Sequence, residues 1–188
     1  MAWNNITNLT SYQYICGFCN QKVASEKGWF EGNINLGPRI YICPDCEKPT
    51  YFEGISQTPG IIYGNDVEGI DDEATNSLYK EARNCCSTES YTASVLCCRK
   101  LLMNIAVSKG ASKNLSFNQY VEYLSENHFI PPGSEDWVHH IRRKGNEATH
   151  EIAIMEKEDA EELITFIEML LRFIFEFPSK INRSSPKL

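Results

Sequence analysis

Four cysteines near the start of the sequence have the spacing of a metal site. They form two Cys-x-x-Cys pairs, CGFC at 16–19 and CPDC at 43–46, with 23 residues between them. Two residues between cysteines allow a tight turn to direct both sulfurs to one point, and two such turns complete a tetrahedral four-thiolate site. The sequence therefore predicts one structural Zn²⁺ per chain, with the ligands Cys16, Cys19, Cys43 and Cys46.

A redox pair or a disulfide is the alternative for these cysteines. Four sulfur ligands would leave zinc no open position for water, so the metal would be structural rather than catalytic. The remaining cysteines are adjacent pairs in segments of helical pattern, where neighbouring side chains point about 100 degrees apart. We interpret them as small buried side chains rather than a second metal site: Cys85, Cys86, Cys97 and Cys98.

A second group suited to chemistry lies in WVHHIRRKGNEATHE at 137–151, which contains three of the four histidines. On a helical wheel of about 100 degrees per residue, one polar line lies opposite an apolar face. This line comprises His139, Arg143, Asn146 and His150. It is either a solvated helix face or a site. Its composition favours a site, because imidazole and guanidinium groups transfer protons and bind phosphates at neutral pH.

The elements that would position these residues fall into two parts. Alternating segments between the cysteine pairs predict the strands of a small β zinc ribbon over 1–53. A turn-rich connector over 54–70 is followed by segments of helical periodicity, which predict a helical bundle over 71–178. The polar tail over 179–188 is predicted to be flexible. The expected fold is therefore mainly α, with a small β module in front.

Local signals define the ends of the predicted helices. Ser116 and Gln119 have the spacing of a capping box, and Pro178 predicts the end of the last helix. That helix, DAEELITFIEMLLRFIFEF, is apolar around much of its circumference. It is either central to the bundle or pressed against a second copy of the protein.

Charge and hydropathy limit the classes of function. The formal net charge of -7 at pH 7 argues against nucleic-acid binding through summed basic charge, so any such contact would be local. No apolar run reaches the roughly 18 residues of a membrane span. We therefore expect a cytoplasmic protein that does not cross a membrane.

Several of these segments together resemble a known family. The two cysteine pairs, VEGI at 67–70, YTASVLCCRKLL at 91–102, IRRKGNEATHE at 141–151 and the last helix are similar to the bacterial domain-of-unknown-function family 4145. The helical part is similar to the HEPN superfamily, whose members usually dimerise and recur in toxin–antitoxin and phage-defence systems. Many are metal-independent ribonucleases with an arginine followed, after four to six residues, by a histidine.

The resemblance implies roles for the polar line. His150 matches the motif histidine, the acid or base, and Asn146 matches the polar residue after the motif arginine, which would orient a partner. The commonest spacing would place the arginine at Gly145, whereas Arg143 is seven positions before His150 and shares its polar line. Arg143 would hold the phosphate, and His139 could supply a second proton-transfer group. The implied protein is a homodimeric endoribonuclease of a defence or toxin-type system.

Another class of function is open. Gly145 in place of the motif arginine favours a non-catalytic zinc-ribbon adaptor that binds a partner protein or nucleic acid. The two hypotheses differ at His150, since a nuclease requires it for activity and an adaptor does not. A nucleotide-binding sensor is disfavoured, because the sequence contains neither GxxxxGK[ST] nor GxGxxG.

Overall fold

Two compact units make up the protein. The computed structural model describes residues 3–32, 37–131, 133, 136–141, 143 and 154–184. The first unit comprises residues 1–62 with 87–89, and the second comprises 63–86 and 90–188. The chain is mainly helical and has an antiparallel sheet near its N-terminus, as the sequence predicts.

The first unit is a five-stranded antiparallel sheet with the strands in chain order. Its strands are β1 Thr7–Ile15, β2 Lys22–Phe30, β3 Arg39–Ile42, β4 Pro49–Glu53 and β5 Ser56–Thr58. The sequence predicts β2 and β3, which contain the alternating segments between the cysteine pairs. The sheet extends beyond residue 53 because β5 pairs with β4. Its three residues, SQT, carry no apolar alternation that would have indicated a strand.

An aromatic cluster forms the core of this sheet. The Phe52 ring lies 5.1 Å from the Tyr14 ring and 5.8 Å from the Tyr41 ring, between centroids, with edge-on geometry in both pairs. Cys16 and Cys43 belong to the same buried cluster. The aromatic core of the sheet therefore packs in one cluster with Cys16 and Cys43.

The second unit is helical. It contains α1 Glu73–Ser87, α2 Tyr91–Ser108, α3 Phe117–Glu126, α4 Lys157–Leu171, a π-helical turn Arg172–Glu176 and α5 Phe177–Ser184. Residues 136–141 are also helical. The inward side chains of α4 are almost completely buried, which agrees with a central core helix: Ala160, Leu163, Ile164, Phe166, Ile167, Leu170 and Leu171. Within the described ranges, no helix has the length and apolar character to cross a membrane.

Helices α1 and α3 begin with side-chain caps. Asp72 accepts hydrogen bonds from the backbone N–H of Thr75 at 2.8 Å and from its hydroxyl, and these bonds hold the pKa of the Asp72 carboxyl below its usual value. At the start of α3, the Gln119 N–H donates to the Ser116 hydroxyl, and the Ser116 N–H donates to the Gln119 side chain. The predicted capping box is therefore confirmed.

The prediction that Pro178 ends the last helix is wrong. Helix α5 continues to Ser184, so the predicted flexible tail is helical in its first part, and residues 185–188 lie outside the described ranges. A proline normally clashes with the carbonyl four residues earlier and cannot donate to it. Here the preceding turn is π-helical, and the Phe177 N–H donates to the Arg172 carbonyl five residues back. The wider turn accommodates the ring.

We expect Ser116→Ala to lower the free energy of unfolding by about 1 kcal/mol, because a first-turn N–H of α3 loses its acceptor. Thermal unfolding of the full chain measures the change as a decrease in Tm of about 2–4 °C. Ser112→Ala, at an exposed serine before the helix, is the control. Equal Tm values for the two variants would contradict a stabilising cap.

Candidate metal centre and polar helix face

The four cysteines of the first unit meet at one point. Sγ of Cys16 lies 3.7 Å from Sγ of Cys46, and Sγ of Cys19 lies 3.8 Å from Sγ of Cys43. All four sulfurs lie within 4.8 Å of one another. A tetrahedron with metal–sulfur distances of about 2.3 Å has sulfur–sulfur edges of about 3.8 Å. The cluster therefore has the dimensions of a four-thiolate metal site.

The two halves of the cluster repeat the same turn. Cys16 follows β1 and Cys43 follows β3. In each turn the first cysteine donates its N–H to a carbonyl five residues later, at 2.9 Å in the first and 3.0 Å in the second. Its own carbonyl accepts from the residue four positions later, Asn20 or Glu47. These two residues have nearly equal left-handed φ angles, 57° and 58°. The repeat orients both pairs of sulfurs in the same way.

Close packing holds the first turn in place. A Cβ on Gly17 would lie 2.4 Å from the carbonyl oxygens of Pro59 and Gly60, so the turn requires glycine at this position. The Phe18 N–H points to the Cys16 sulfur at 3.4 Å, a contact that stabilises negative charge on that sulfur. Burial, followed by bonds with the neighbouring thiols, raises the pKa of Cys46 to about 12. A metal cation therefore displaces a proton when it binds this sulfur.

The other four cysteines form no comparable cluster. Among the described residues, the ribbon cysteines are the one group of three or more potential ligands whose atoms converge. Cys86 and Cys98 are almost completely buried in the helical core, as predicted, whereas Cys85 and Cys97 are half-buried. Burial raises the pKa of the Cys86 and Cys97 thiols to about 11. Cys86 and Cys97 are therefore protonated, apolar side chains at neutral pH.

The polar helix face is described in its first half. His139 and Arg143 are exposed and Ile141 is fully buried, which agrees with the predicted division into a polar and a packed face. The predicted residues Asn146 and His150 lie outside the described ranges. The structure therefore describes two of the four predicted residues, and their side chains point to solvent.

His140, a histidine outside the predicted polar line, contacts a carboxylate of α4 and the guanidinium of Arg143. Nε2 of His140 lies 2.5 Å from a carboxylate oxygen of Glu162 on α4, and a terminal nitrogen of Arg143 lies 3.0 Å from His140 Nδ1. The guanidinium can only donate, so Nδ1 accepts and the ring proton is on Nε2, which donates to Glu162. Arg143 is thus linked through His140 to Glu162.

A second contact attaches the same segment to α4. The Trp137 ring meets the Phe166 ring edge-on, with 5.0 Å between centroids. Trp137 and His140 are three residues apart, as neighbours on one helix face are, and Phe166 and Glu162 have the matching separation of four on α4. The pairing across 22 positions was not predictable from local spacing.

One comparison identifies a family. Residues 80–187 match the family described as "Domain of unknown function (DUF4145)". The match covers more than half of the chain, including most of the helical unit, and the chain belongs to this family. No curated protein matches the sequence. No solved structure matches the fold.

We expect Cys16→Ser and Cys43→Ser to lose the metal, because each change removes one of four converging thiolates. Elemental analysis of purified protein should decrease from one metal ion per chain to near zero. Cys85→Ser and Cys97→Ser are matched controls outside the cluster and should retain the full amount. A full metal content in the Cys16 and Cys43 variants would contradict the site.

Proposed function

We propose that this protein is a HEPN-like, cytoplasmic member of a prokaryotic defence or toxin-type system that acts on RNA. The RNA would be cleaved without a metal ion, or bound, by the polar helix face at a homodimer interface. The observation that carries the proposal is the chain Arg143–His140–Glu162. It holds a phosphate-binding group and an imidazole beside each other on an accessible surface.

The metal of the four-cysteine cluster is zinc in this proposal. Zinc favours tetrahedral thiolate sites, and the sulfur separations of 3.7 and 3.8 Å fit its usual bond lengths. All four positions are sulfur, so the ion stabilises the ribbon and is not catalytic. Such a site contributes on the order of 10 kcal/mol of apparent binding free energy to folding. This contribution is large relative to the stabilisation that the small aromatic core of the sheet can provide.

RNA supplies its own nucleophile for the proposed reaction. His150, as base, removes the proton of a 2′-hydroxyl, whose oxygen attacks the adjacent phosphorus. The bond from phosphorus to the 5′-oxygen breaks, and the leaving oxygen takes a proton from a second group, the role assigned to His139. The products are a 2′,3′-cyclic phosphate and a 5′-hydroxyl. Arg143 binds the phosphate oxygens, and Asn146 orients a reacting partner.

The hydrogen bond between Arg143 and His140 supports this assignment. A guanidinium has five N–H donors, so Arg143 can retain its bond to His140 and still offer a second edge to a phosphate. The bond restricts a long side chain that would otherwise lose rotamer entropy on binding. Glu162 and Phe166 attach the segment to the buried helix α4, which gives the guanidinium a rigid support.

Dimerisation would compensate for the acidic charge of the chain. Two copies of the polar face, placed together, double the number of basic groups around one groove. Phe173 and Phe177 near the C-terminus are 44% and 49% exposed, and their rings contact each other at 6.5 Å between centroids. Exposed aromatic side chains of this kind are typical of surfaces that bind a second protein.

We expect the purified protein to cleave a mixed RNA pool in magnesium-free buffer and to leave 2′,3′-cyclic phosphate ends. His150→Ala should reduce the cleavage rate at least a hundredfold, because it removes the proposed acid or base. His128→Asn is the control, since this histidine lies outside the polar face and asparagine tolerates its left-handed φ of 62°. Equal activity of wild type and His150→Ala would reject the assignment.

A binding module is the second candidate, favoured by the surface of the ribbon. Its described part exposes several aromatic rings, with 37–40% of each accessible: Trp3, Tyr12, Phe18, Phe30 and Tyr51. Such rings provide contact area for a partner protein or for stacked bases. In this function the zinc ribbon is an adaptor and no RNA is cut. A folded, dimeric wild type without ribonuclease activity would favour it.

Zinc removal should unfold the ribbon before the helical unit. Trp3 and Trp29 lie in the sheet unit and Trp137 in the helical unit, so Trp137→Phe leaves tryptophans in the ribbon alone. On titration with a chelator, we expect the fluorescence of this variant to change while the far-UV helical signal is retained. Simultaneous loss of both signals would contradict separate stabilisation by the metal.

A further inference from the structure

Arg99 is a buried cation in the helical core. On α2 it occupies the same line as Val95, Leu102 and Ala106, whose side chains are 0%, 1% and 0% exposed. Arg99 itself is 9% exposed. Its guanidinium carbon lies 4.1 Å from the centre of the Phe117 ring, well within the range of a cation–π contact. Arg99 therefore places a charged side chain on the buried face of α2, where the other residues of the line are apolar.

The other buried arginine shows what stable burial requires. Arg83 is 4% exposed, and like Arg99 it makes a cation–π contact: its guanidinium carbon lies 5.3 Å from the centre of the Tyr79 ring. Its guanidinium donates to the carbonyl oxygens of Tyr63 and Gly64, each at 2.9 Å, and forms an ion pair with Asp66 at 2.5 Å. Every part of that cation has an acceptor. The charge is neutralised within the described chain.

Arg99 has no such neutralisation among the described residues. Its Nη1 atom is buried and forms no hydrogen bond there. Burial lowers the pKa of Arg99, and no carboxylate of the described chain opposes that effect. A buried charge without a counter-ion destabilises the folded state by more than a ring contact stabilises it. The position therefore favours the binding of an anion.

The first turn of α3 lies beside this cation, because Phe117 is the first residue of that helix. The capping box uses the Gln119 N–H, which leaves the N–H groups of Phe117 and Asn118 for other acceptors. The positive end of the helix dipole adds to the guanidinium charge. The buried Asn118 side-chain oxygen also has no partner among the described residues, and rotation of the amide would present its NH₂ group instead.

We infer that Arg99 and the first turn of α3 form a binding site for a phosphate group, which comes from the RNA backbone. The identity of the source rests on the proposed function, whereas the need for an anion does not. A guanidinium donates two parallel N–H bonds to two phosphate oxygens, and the free N–H groups of the helix can donate to a third oxygen. The site is distinct from Arg143, whose guanidinium contacts His140.

The first experiment measures thermal unfolding of the full, metal-loaded chain while phosphate replaces chloride at constant ionic strength. We expect phosphate at about 100 times its Kd to raise the wild-type Tm by about 5 °C or more. Arg99→Met should lose this increase, and its Tm in chloride should equal or exceed that of wild type, because an uncompensated charge is removed. Lys100→Met, at the exposed neighbouring position, removes the same charge and should respond like wild type.

Two results would overturn the site. One is a wild type without a phosphate response together with an Arg99→Met variant of much lower Tm in chloride, which would show that the chain itself neutralises Arg99. The other is an equal phosphate response of wild type and Arg99→Met. If the methionine variant does not fold, Arg99→Lys keeps the charge without the planar donor pair and should show a weaker response than wild type.

A second arm tests the source of the phosphate. A 2′-O-methyl oligonucleotide carries phosphodiesters but cannot be cleaved, so its binding is independent of ribonuclease activity. We expect Arg99→Met to weaken its binding at least tenfold in fluorescence anisotropy, and inorganic phosphate to compete. A lost phosphate response with unchanged oligonucleotide affinity would reject RNA as the source. Failure of cleavage alone would reject the proposed ribonuclease reaction and would not bear on the anion site.

Discussion

Both units bury ionisable groups, and a buried charge destabilises the fold unless an opposite charge or a set of hydrogen bonds compensates it. The side-chain carboxylate of Glu176 illustrates the rule in the helical unit. It is 3% exposed and lies between Arg172, at 2.9 Å, and Lys180, at 2.5 Å. Arg83 obeys the same rule with two carbonyls and Asp66. Where the chain itself meets this demand, the group is structural.

The four-cysteine cluster and Arg99 do not meet the demand from the described chain, and both carry functional proposals. The four cysteine sulfurs converge and need a cation to balance their charge once deprotonated. Arg99 has a buried Nη1 atom without a hydrogen-bond partner among the described residues, and the proposed ligand there is an anion. The free-energy cost of an unbalanced buried charge therefore favours a cation at the cysteine cluster and an anion at Arg99. Arg83 and Arg99 are both buried beside aromatic rings, but among the described residues only the guanidinium of Arg83 is neutralised by a carboxylate.

Membership in a family of unknown function does not by itself define an activity, which depends on the residues of the site. The segment at 136–141 is informative because two of its side chains reach α4 and a third, His139, points to solvent. The contacts of Trp137 and His140 fix the helical segment on α4, and they leave its polar edge accessible to solvent. Such an edge suits either phosphate chemistry or recognition of a partner, and the two proposed functions differ in which group must react.

Local spacing was sufficient to predict several features. Two residues between cysteines define a turn, and three residues between Ser116 and Gln119 define a cap, because covalent geometry fixes such short distances. The helical period likewise predicted that Ile141 is buried and His139 exposed. These features depend on neighbours in the chain, so the sequence by itself determined them.

Only the tertiary structure decided which distant groups meet. The contact of His140 with Glu162 depends on how two helices pack, and the helical period of one segment does not specify which residue of another helix it meets. Arg83 is fully paired and Arg99 Nη1 has no acceptor in the part of the chain that the structure describes, and both outcomes follow from the positions of other elements. The helix also continues through Pro178, because a π-helical turn changes the register before it. Packing sets these outcomes, since the free energy of a buried charge depends on its surroundings in space.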